Sequence, residues 1–250
     1  MQVIFRALLS LMLLTATAAQ AGLVPHTSDS KELVYSTDQN LTLTKDANLF
    51  KTMMDNYDGS YPTLADEIID RVVSVEGVPL IADDFESSVG ALRWYGAMAF
   101  VEWLNLESYA GATNWRLWDA DPTCGGRPGD PGTQDCPAGE LGFIYYIEGT
   151  LQPSLGSQPD PNLGQGWLAD PPGILPAYFD NLYDNSTFWA RNNDGTYAWA
   201  HWVITRAGKQ IAYSHDRDIP NFFRAWPVRT GELGTPSPDI FKDGFEDLTP

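Results

Sequence analysis

The sequence predicts an α+β domain whose N-terminal and C-terminal strands lie next to each other in one sheet. Alternation of apolar and polar residues, which is typical of strands, occurs over residues 33–51 and again within residues 187–214. Helical periodicity falls between these segments, most clearly over residues 90–106. The chain also contains 22 Gly and 18 Pro, which indicate long loops. Strands at both ends with helices between them favour a sheet in which the two ends of the chain pair.

The first 21 residues are predicted to be a signal peptide, not part of the fold. Arg6 supplies a positive charge ahead of the apolar run 7–18, and residues 19–21 (Ala-Gln-Ala) fit the small-x-small cleavage rule. We therefore expect an exported protein, periplasmic or extracellular, whose mature chain begins at Gly22. A retained membrane anchor is the alternative, but the run falls short of the ~20 residues that a spanning helix needs. No later stretch is long and apolar enough to span a membrane.

Two short helices are expected in the N-terminal part of the chain. Residues 22–60 look extended apart from a short helix over Leu49–Asp55. A second helix is predicted over Pro62–Val73, because proline suits a first helical turn. Asp66 and Glu67 then stand near the positive end of its dipole.

The helix predicted over Gly90–Leu106 is apolar on nearly all sides. One stripe at helical spacing comprises Trp94, Ala97, Met98, Val101 and Leu104, and the other side carries Tyr95, Ala99, Phe100 and Trp103. A helix of this kind lies deep in a protein. Its aromatic residues are therefore interpreted as core and not as a ligand-binding set.

The C-terminal third is expected to form strands. Thr187–Arg191 and Thr196–Arg206 flank Asp194-Gly195, a dipeptide typical of a hairpin turn. Gln210–Ser214 continues this pattern, and Arg224–Arg229 is predicted to be the last strand. Residues 119–139 and 152–176 are predicted loops that could border a binding surface. The domain is expected to span residues 22–232, with residues 233–250 as a flexible tail.

Cys124 and Cys136 are the only two cysteines of the chain. In an oxidising compartment a single pair of this kind is expected to form a disulfide. The closed loop is short, so the expected contribution to stability is about 2–3 kcal/mol. A redox or metal-binding pair is the alternative, but the C-x-x-C spacing typical of such pairs is absent.

The formal net charge of −18 indicates a strongly acidic surface. Such a surface repels nucleic acids and anionic lipids, and it disfavours heparin-like polyanions. It is compatible with cations, and plain solubility is the simpler interpretation. Four carboxylates that crowd the cysteine loop are candidate Ca²⁺ ligands, and no other cofactor is indicated: Asp119, Asp121, Asp130 and Asp135. Aspartate in such a loop is also ordinary turn chemistry.

Several segments in the same order resemble the DUF1566 family, which includes the C-terminal domain of the Legionella collagen-like adhesin. The pieces are WYGAMAFVEWL, WRLW, GELGFIYY, TFWAR with TYAWAHW, and RAWPVR, which together cover about residues 33–230. Trp118 stands where the family usually has proline. The resemblance implies a C-type-lectin-like mixed sheet with two or three helices, similar to the fold of formylglycine-generating enzymes. It also implies a surface binding module, since related domains bind ligands that include sulfated glycans.

The sequence therefore predicts an exported binding or adhesion module of the bacterial envelope or extracellular space. The partner is expected to be an extracellular glycan or protein. Trp167 is the candidate ligand-binding aromatic residue, with packing onto its own loop as the alternative. An exported enzyme is the second hypothesis, although no G-x-S-x-G, H-E-x-x-H or phosphate-binding loop occurs in the chain.

Overall fold

The computed structural model describes residues 22–120, 125–126, 139–148, 175–182, 186–193, 197–204, 209–216 and 221–236. Within these ranges the chain combines helices with mainly antiparallel sheets, which confirms the predicted α+β class. The strands are β1 (Leu23–Ser28), β2 (Lys31–Ser36), β3 (Leu41–Thr44), β4 (Ser74–Val75), β5 (Val78–Pro79), β6 (Phe85–Glu86), β7 (Ala91–Leu92), β8 (Gly125–Gly126), β9 (Ser186–Asn193), β10 (Tyr197–Ile204), β11 (Lys209–Asp216), β12 (Val228–Thr230) and β13 (Thr235–Pro236). The helices are α1 (Leu49–Asp55), α2 (Leu64–Val72), α3 (Trp94–Leu106), α4 (Glu140–Phe143) and α5 (Leu175–Tyr178).

The two ends of the described chain meet in one antiparallel sheet of order β12-β3-β2-β1-β13. Val228 pairs with Leu43 on one side of the sheet, and Thr235 pairs with Thr27 on the other. This arrangement confirms the prediction that the terminal strands are adjacent. Because β13 pairs with β1, ordered sheet structure continues past the predicted domain end at residue 232.

A second sheet has the order β8-β11-β10-β9. Strands β9, β10 and β11 come from the C-terminal third, which was predicted to form strands, whereas β8 comes from the predicted loop 119–139. Strands β9 and β10 are antiparallel, and β11 pairs antiparallel with β10. Strand β8 runs parallel to β11. The predicted turn at Asp194-Gly195 lies outside the described residues.

Helix α1 has the predicted bounds, whereas α2 begins two positions later than predicted. Thr63 is the N-cap of α2, and its hydroxyl accepts a hydrogen bond from the backbone N–H of Asp66 at 3.1 Å. Capping fixes the start of the helix after Thr63 and leaves Pro62 outside it. Val73 follows the helix with a φ of 66°, a left-handed conformation that ends it.

Helix α3 is buried on nearly all sides, as predicted, but it begins at Trp94 instead of Gly90. The residues before it form β7, which pairs with β6, so strand pairing takes the place of the predicted first turn. Gly96 lies where the helix crosses close to another segment. A Cβ at that position would stand 2.3 Å from the carbonyl oxygen of Asp84, so only glycine permits this contact.

Two buried clusters hold the elements together. The helical cluster packs α1, α2 and α3 around Phe50, Leu64, Ile68, Phe100 and Leu104. The sheet cluster centres on Trp226, whose ring lies within 4.8–5.2 Å of the ring centroids of Phe179, Trp118 and Phe188. The indole N–H of Trp226 donates to the carbonyl of Thr44 at 2.9 Å, so this buried polar group is satisfied. Trp118, the residue that departs from the family pattern, is thus a core residue.

The segment GELGFIYYIEG forms α4 followed by a π-helical turn over Ile144–Glu148. Within the described residues, no helix is long and apolar enough to cross a bilayer.

Candidate functional site

Of the residues predicted to form sites, only Asp119 lies within the described ranges. The others lie outside them, so the disulfide, the glycan-binding tryptophan and most of the calcium loop stay predictions: Cys124, Cys136, Trp167, Asp121, Asp130 and Asp135.

Asp119 is engaged by cationic side chains. Its Oδ2 accepts a hydrogen bond from Nη2 of Arg191 at 2.7 Å, and its Oδ1 accepts another from Nε of the same guanidinium. Arg116 approaches the same carboxylate at 3.8 Å. In the part of the chain that the structure describes, no group of three or more His, Cys, Asp or Glu side chains could hold a metal ion. Asp119 therefore joins two segments of the fold in this structure.

Two pieces of the family-like pattern, WRL and GEL, are joined by a bidentate ion pair. Nη1 and Nη2 of Arg116 donate to the two carboxylate oxygens of Glu140 at 2.8 and 2.6 Å. The backbone N–H of Asp119 donates to the same carboxylate at 2.7 Å. The backbone of Arg116 also pairs with Val228 at 2.8 and 2.9 Å. This clamp ties α4 to the terminal sheet, and its role is structural.

An open groove of about 1140 Å³ lies where the β1–β2 turn, the three long helices and the segment after α5 meet. The described residues that line it are Ser30, Lys31, Glu32, Lys45, Asp46, Leu49, Thr52, Met53, Asn56, Tyr57, Asp58, Gly59, Leu64, Glu67, Trp103, Glu107, Tyr109, Phe179, Asp180 and Asn181. Six of them are acidic and two are lysines. Below, "the groove" means this surface.

Glu67, on α2, is a groove carboxylate that accepts hydrogen bonds from three side chains. Its Oε2 accepts from the Tyr57 hydroxyl at 2.7 Å, and its Oε1 accepts from the Trp103 indole N–H at 3.2 Å and from Arg71 at 3.1 Å. Burial alone would raise the pKa of Glu67, but these hydrogen bonds outweigh it and hold the pKa below its usual value. Glu67 therefore stays ionised.

Gly59 fixes the position of the Tyr57 ring. A Cβ at residue 59 would stand 2.2 Å from the Tyr57 hydroxyl oxygen and 2.4 Å from its Cζ. The absence of a side chain thus lets Tyr57 fold back beneath Gly59 and reach Glu67.

Asp46 also lines the groove, and its carboxylate accepts hydrogen bonds from neutral donors. Its Oδ1 accepts from the backbone N–H of Asn48 at 2.8 Å and from the Asn181 amide at 3.0 Å, and its Oδ2 accepts from the Thr52 hydroxyl. These bonds connect β3, α1 and the segment after α5. They order the carboxylate without neutralising its charge.

At the rim of the groove, single cations form ion pairs with two carboxylates each. Nζ of Lys45 lies 3.2 Å from Glu32 and 3.5 Å from Asp180. Burial works against the charge on Lys45, but these two partners outweigh it and raise the pKa of the ammonium. Arg71 likewise contacts both Glu67 and Glu107.

Tyr109 places a partly buried aromatic ring in the groove. Its ring contacts Trp115 edge-on at 5.7 Å, and Nζ of Lys31 lies 5.8 Å from its centroid. Burial raises the pKa of the phenol to about 12, and the charge of Asp46 adds to the shift.

Glu148 is a second buried carboxyl, outside the groove. It is 6% exposed, and its Oε1 accepts from the Ser36 hydroxyl at 2.7 Å. Its Oε2 has no partner among the described residues. Burial raises the pKa of Glu148 to about 7 and the charge of Asp38 adds to the rise, while the hydrogen bonds from Ser36 and from the backbone of Asp38 offset only part of it.

The groove is not predicted by any motif in the sequence. Glu67 stood out only as a helix-dipole residue and Trp103 only as core. Tyr109 and Asp46 occur in no motif. The signal that could have found the groove is the set of acidic residues that immediately follow or precede the predicted helices.

Comparisons of the chain with protein-family models, curated proteins and solved structures found no match. The resemblance to the DUF1566 family, and the C-type-lectin-like fold that it implies, therefore stay predictions.

Proposed function

We propose that this chain is an exported binding or adhesion module of the bacterial envelope or extracellular space, and that its ligand is a glycan held in the groove. The observation that carries the proposal is the combination of partly buried tyrosine rings, Tyr57 and Tyr109, with ordered polar side chains along one open groove. Sugars present an apolar face and a polar edge, and tyrosine matches both. The groove volume, about 1140 Å³, is sufficient for an oligosaccharide.

The chemistry of the groove favours binding over catalysis. A general acid in glycoside hydrolysis needs a raised pKa, so that it is protonated when the leaving group departs. The pKa of Glu67 is instead lowered, and three donors occupy its oxygens. This carboxylate is suited to hold the groove in shape.

A glycan array with the mature chain, beginning at Gly22, tests the proposal. We expect binding to at least one oligosaccharide class, and Tyr109→Ala should reduce it because the variant removes the ring from the groove. Tyr109→Phe should retain most of it. Tyr35→Ala is the matched control, since Tyr35 is also partly buried but bonds to Asn40 away from the groove. Absence of binding to every glycan would refute the proposal.

A further inference from the structure

We infer that the groove selects a glycan that carries positive charge, namely an oligosaccharide of amino sugars with free amines. This inference rests on the proposed function and adds the ligand class. It departs from the sulfated glycans that the family resemblance implies.

The first step is the balance of charge. Six carboxylates line the groove, and the cations that lie on or against it are Lys31, Lys45 and Arg71, which leaves an excess of negative charge. Part of this negative excess arises because pairs of carboxylates share one cation. Lys45 forms ion pairs with both Glu32 and Asp180. Arg71 forms ion pairs with both Glu67 and Glu107. Each cation thus leaves one of its two partners uncompensated.

Two further carboxylates have no cationic partner among the described residues. Asp46 is held by an amide, a hydroxyl and a backbone N–H, all of them neutral. Asp58 is exposed and forms no ion pair with any described side chain. Both add to the negative charge of the groove, which the ammonium group of a ligand would complement.

The aromatic rings favour the same ligand. The Lys31 ammonium already lies over the Tyr109 ring at 5.8 Å, so this ring accepts a cation in the structure. An amino sugar offers a CH face to stack on tyrosine and an ammonium group for the carboxylates. A sulfated glycan would meet the negative excess and be repelled.

Isothermal titration calorimetry with three tetrasaccharides tests the inference. The probes are a glucosamine tetramer, the N-acetylglucosamine tetramer with the same backbone but capped amines, and a heparin tetrasaccharide. We expect the free-amine tetramer to bind about tenfold more tightly than the capped one, and the difference to shrink as salt is raised. Equal or tighter binding of the capped or the sulfated tetramer would overturn the inference while leaving the proposed function intact. Binding of none of the three overturns this inference, and the glycan array then decides the proposed function.

Rim variants locate the effect. Glu32→Gln and Asp180→Asn each remove a carboxylate that is more than half exposed, so the fold should be unaffected. Each should weaken binding of the free-amine tetramer about two- to fivefold and that of the capped tetramer by less. Glu102→Gln, an exposed change on α3 that lies outside the groove, is the matched control. An equal loss for both tetramers would show that charge is not what the rim recognises.

Discussion

Glu67 in the groove and Glu148 outside it are both largely shielded from water, yet they differ in charge state. Glu67 is 14% exposed and receives bonds from three side chains, so its pKa is lowered. Glu148 is 6% exposed and receives a single side-chain bond, from Ser36, so its pKa is raised to about 7. At Glu67 the three donors, one of them the Arg71 cation, outweigh the effect of burial, whereas at Glu148 burial and the charge of Asp38 outweigh the hydrogen bonds that favour the ionised form. Glu67 is therefore ionised at neutral pH, whereas Glu148 takes up a proton near pH 7.

The largest expected effect is on the pH dependence of stability. Between the ordinary glutamate pKa of 4.5 and about 7, the folded chain holds a proton on Glu148 that the unfolded chain has lost. The free energy of unfolding therefore falls as pH rises through this window. Glu148→Gln removes the penalty, so near pH ~8 the variant should be more stable by up to about 3 kcal/mol, and below pH ~4 the difference should vanish.

Urea unfolding at a series of pH values measures this difference. Glu102→Gln, an exposed change, should leave the pH profile of the wild type in place. If the free energy of unfolding of Glu148→Gln falls with pH as steeply as that of the wild type, Glu148 is not the group that titrates.

The second prediction concerns Glu67, the carboxylate that accepts hydrogen bonds from three side chains. Glu67→Ala leaves the Tyr57 hydroxyl, the Trp103 indole and Arg71 without their shared acceptor. We expect a loss of about 2 kcal/mol at neutral pH, measured by the same unfolding experiment. At neutral pH, Glu67 is ionised in both the folded and the unfolded chain, so the loss does not involve a proton. Glu67→Gln should recover part of the loss, because glutamine keeps one acceptor oxygen. A neutral effect of Glu67→Ala would contradict the picture of a saturated carboxylate.

A smaller effect is expected at the clamp, where Glu140 is bonded by a guanidinium. Arg116→Lys keeps the charge but replaces two parallel bonds with one. We expect a loss of about 1 kcal/mol in the free energy of unfolding, with binding in the groove unchanged. An equally large effect on binding would mean that the clamp and the groove are coupled.

The smallest effect is expected at Gly59, whose missing side chain lets the Tyr57 hydroxyl reach Glu67. Gly59→Ala places a methyl group where the Tyr57 ring now lies, so Tyr57 must move away from Glu67. The melting temperature should fall by about 1–2 °C, and glycan binding should weaken because the groove wall moves. Ser60→Ala, the neighbouring exposed position, is the control and should change neither quantity.

The sequence could predict the elements whose signals are local. The apolar faces of α3 and the bounds of α1 follow from spacing alone, and the structure contains both. The last strand was predicted over Arg224–Arg229, but in the structure it is β12, Val228–Thr230. The start of α3 could not be predicted, because β7 gains a partner, β6, that periodicity does not show. The groove could not be predicted either, because it depends on contacts between residues that are far apart in the sequence. Lys45 meets Asp180, and Glu67 meets Trp103, only after the chain has folded.

A ¹³C-carboxyl NMR titration of residues 22–250 tests most directly whether Glu67 and Glu148 differ in pKa in the stated direction. The account predicts that the Glu67 carboxyl titrates below the usual glutamate range and that Glu148 titrates near 7. Two ordinary titrations, or a reversed order, would contradict it.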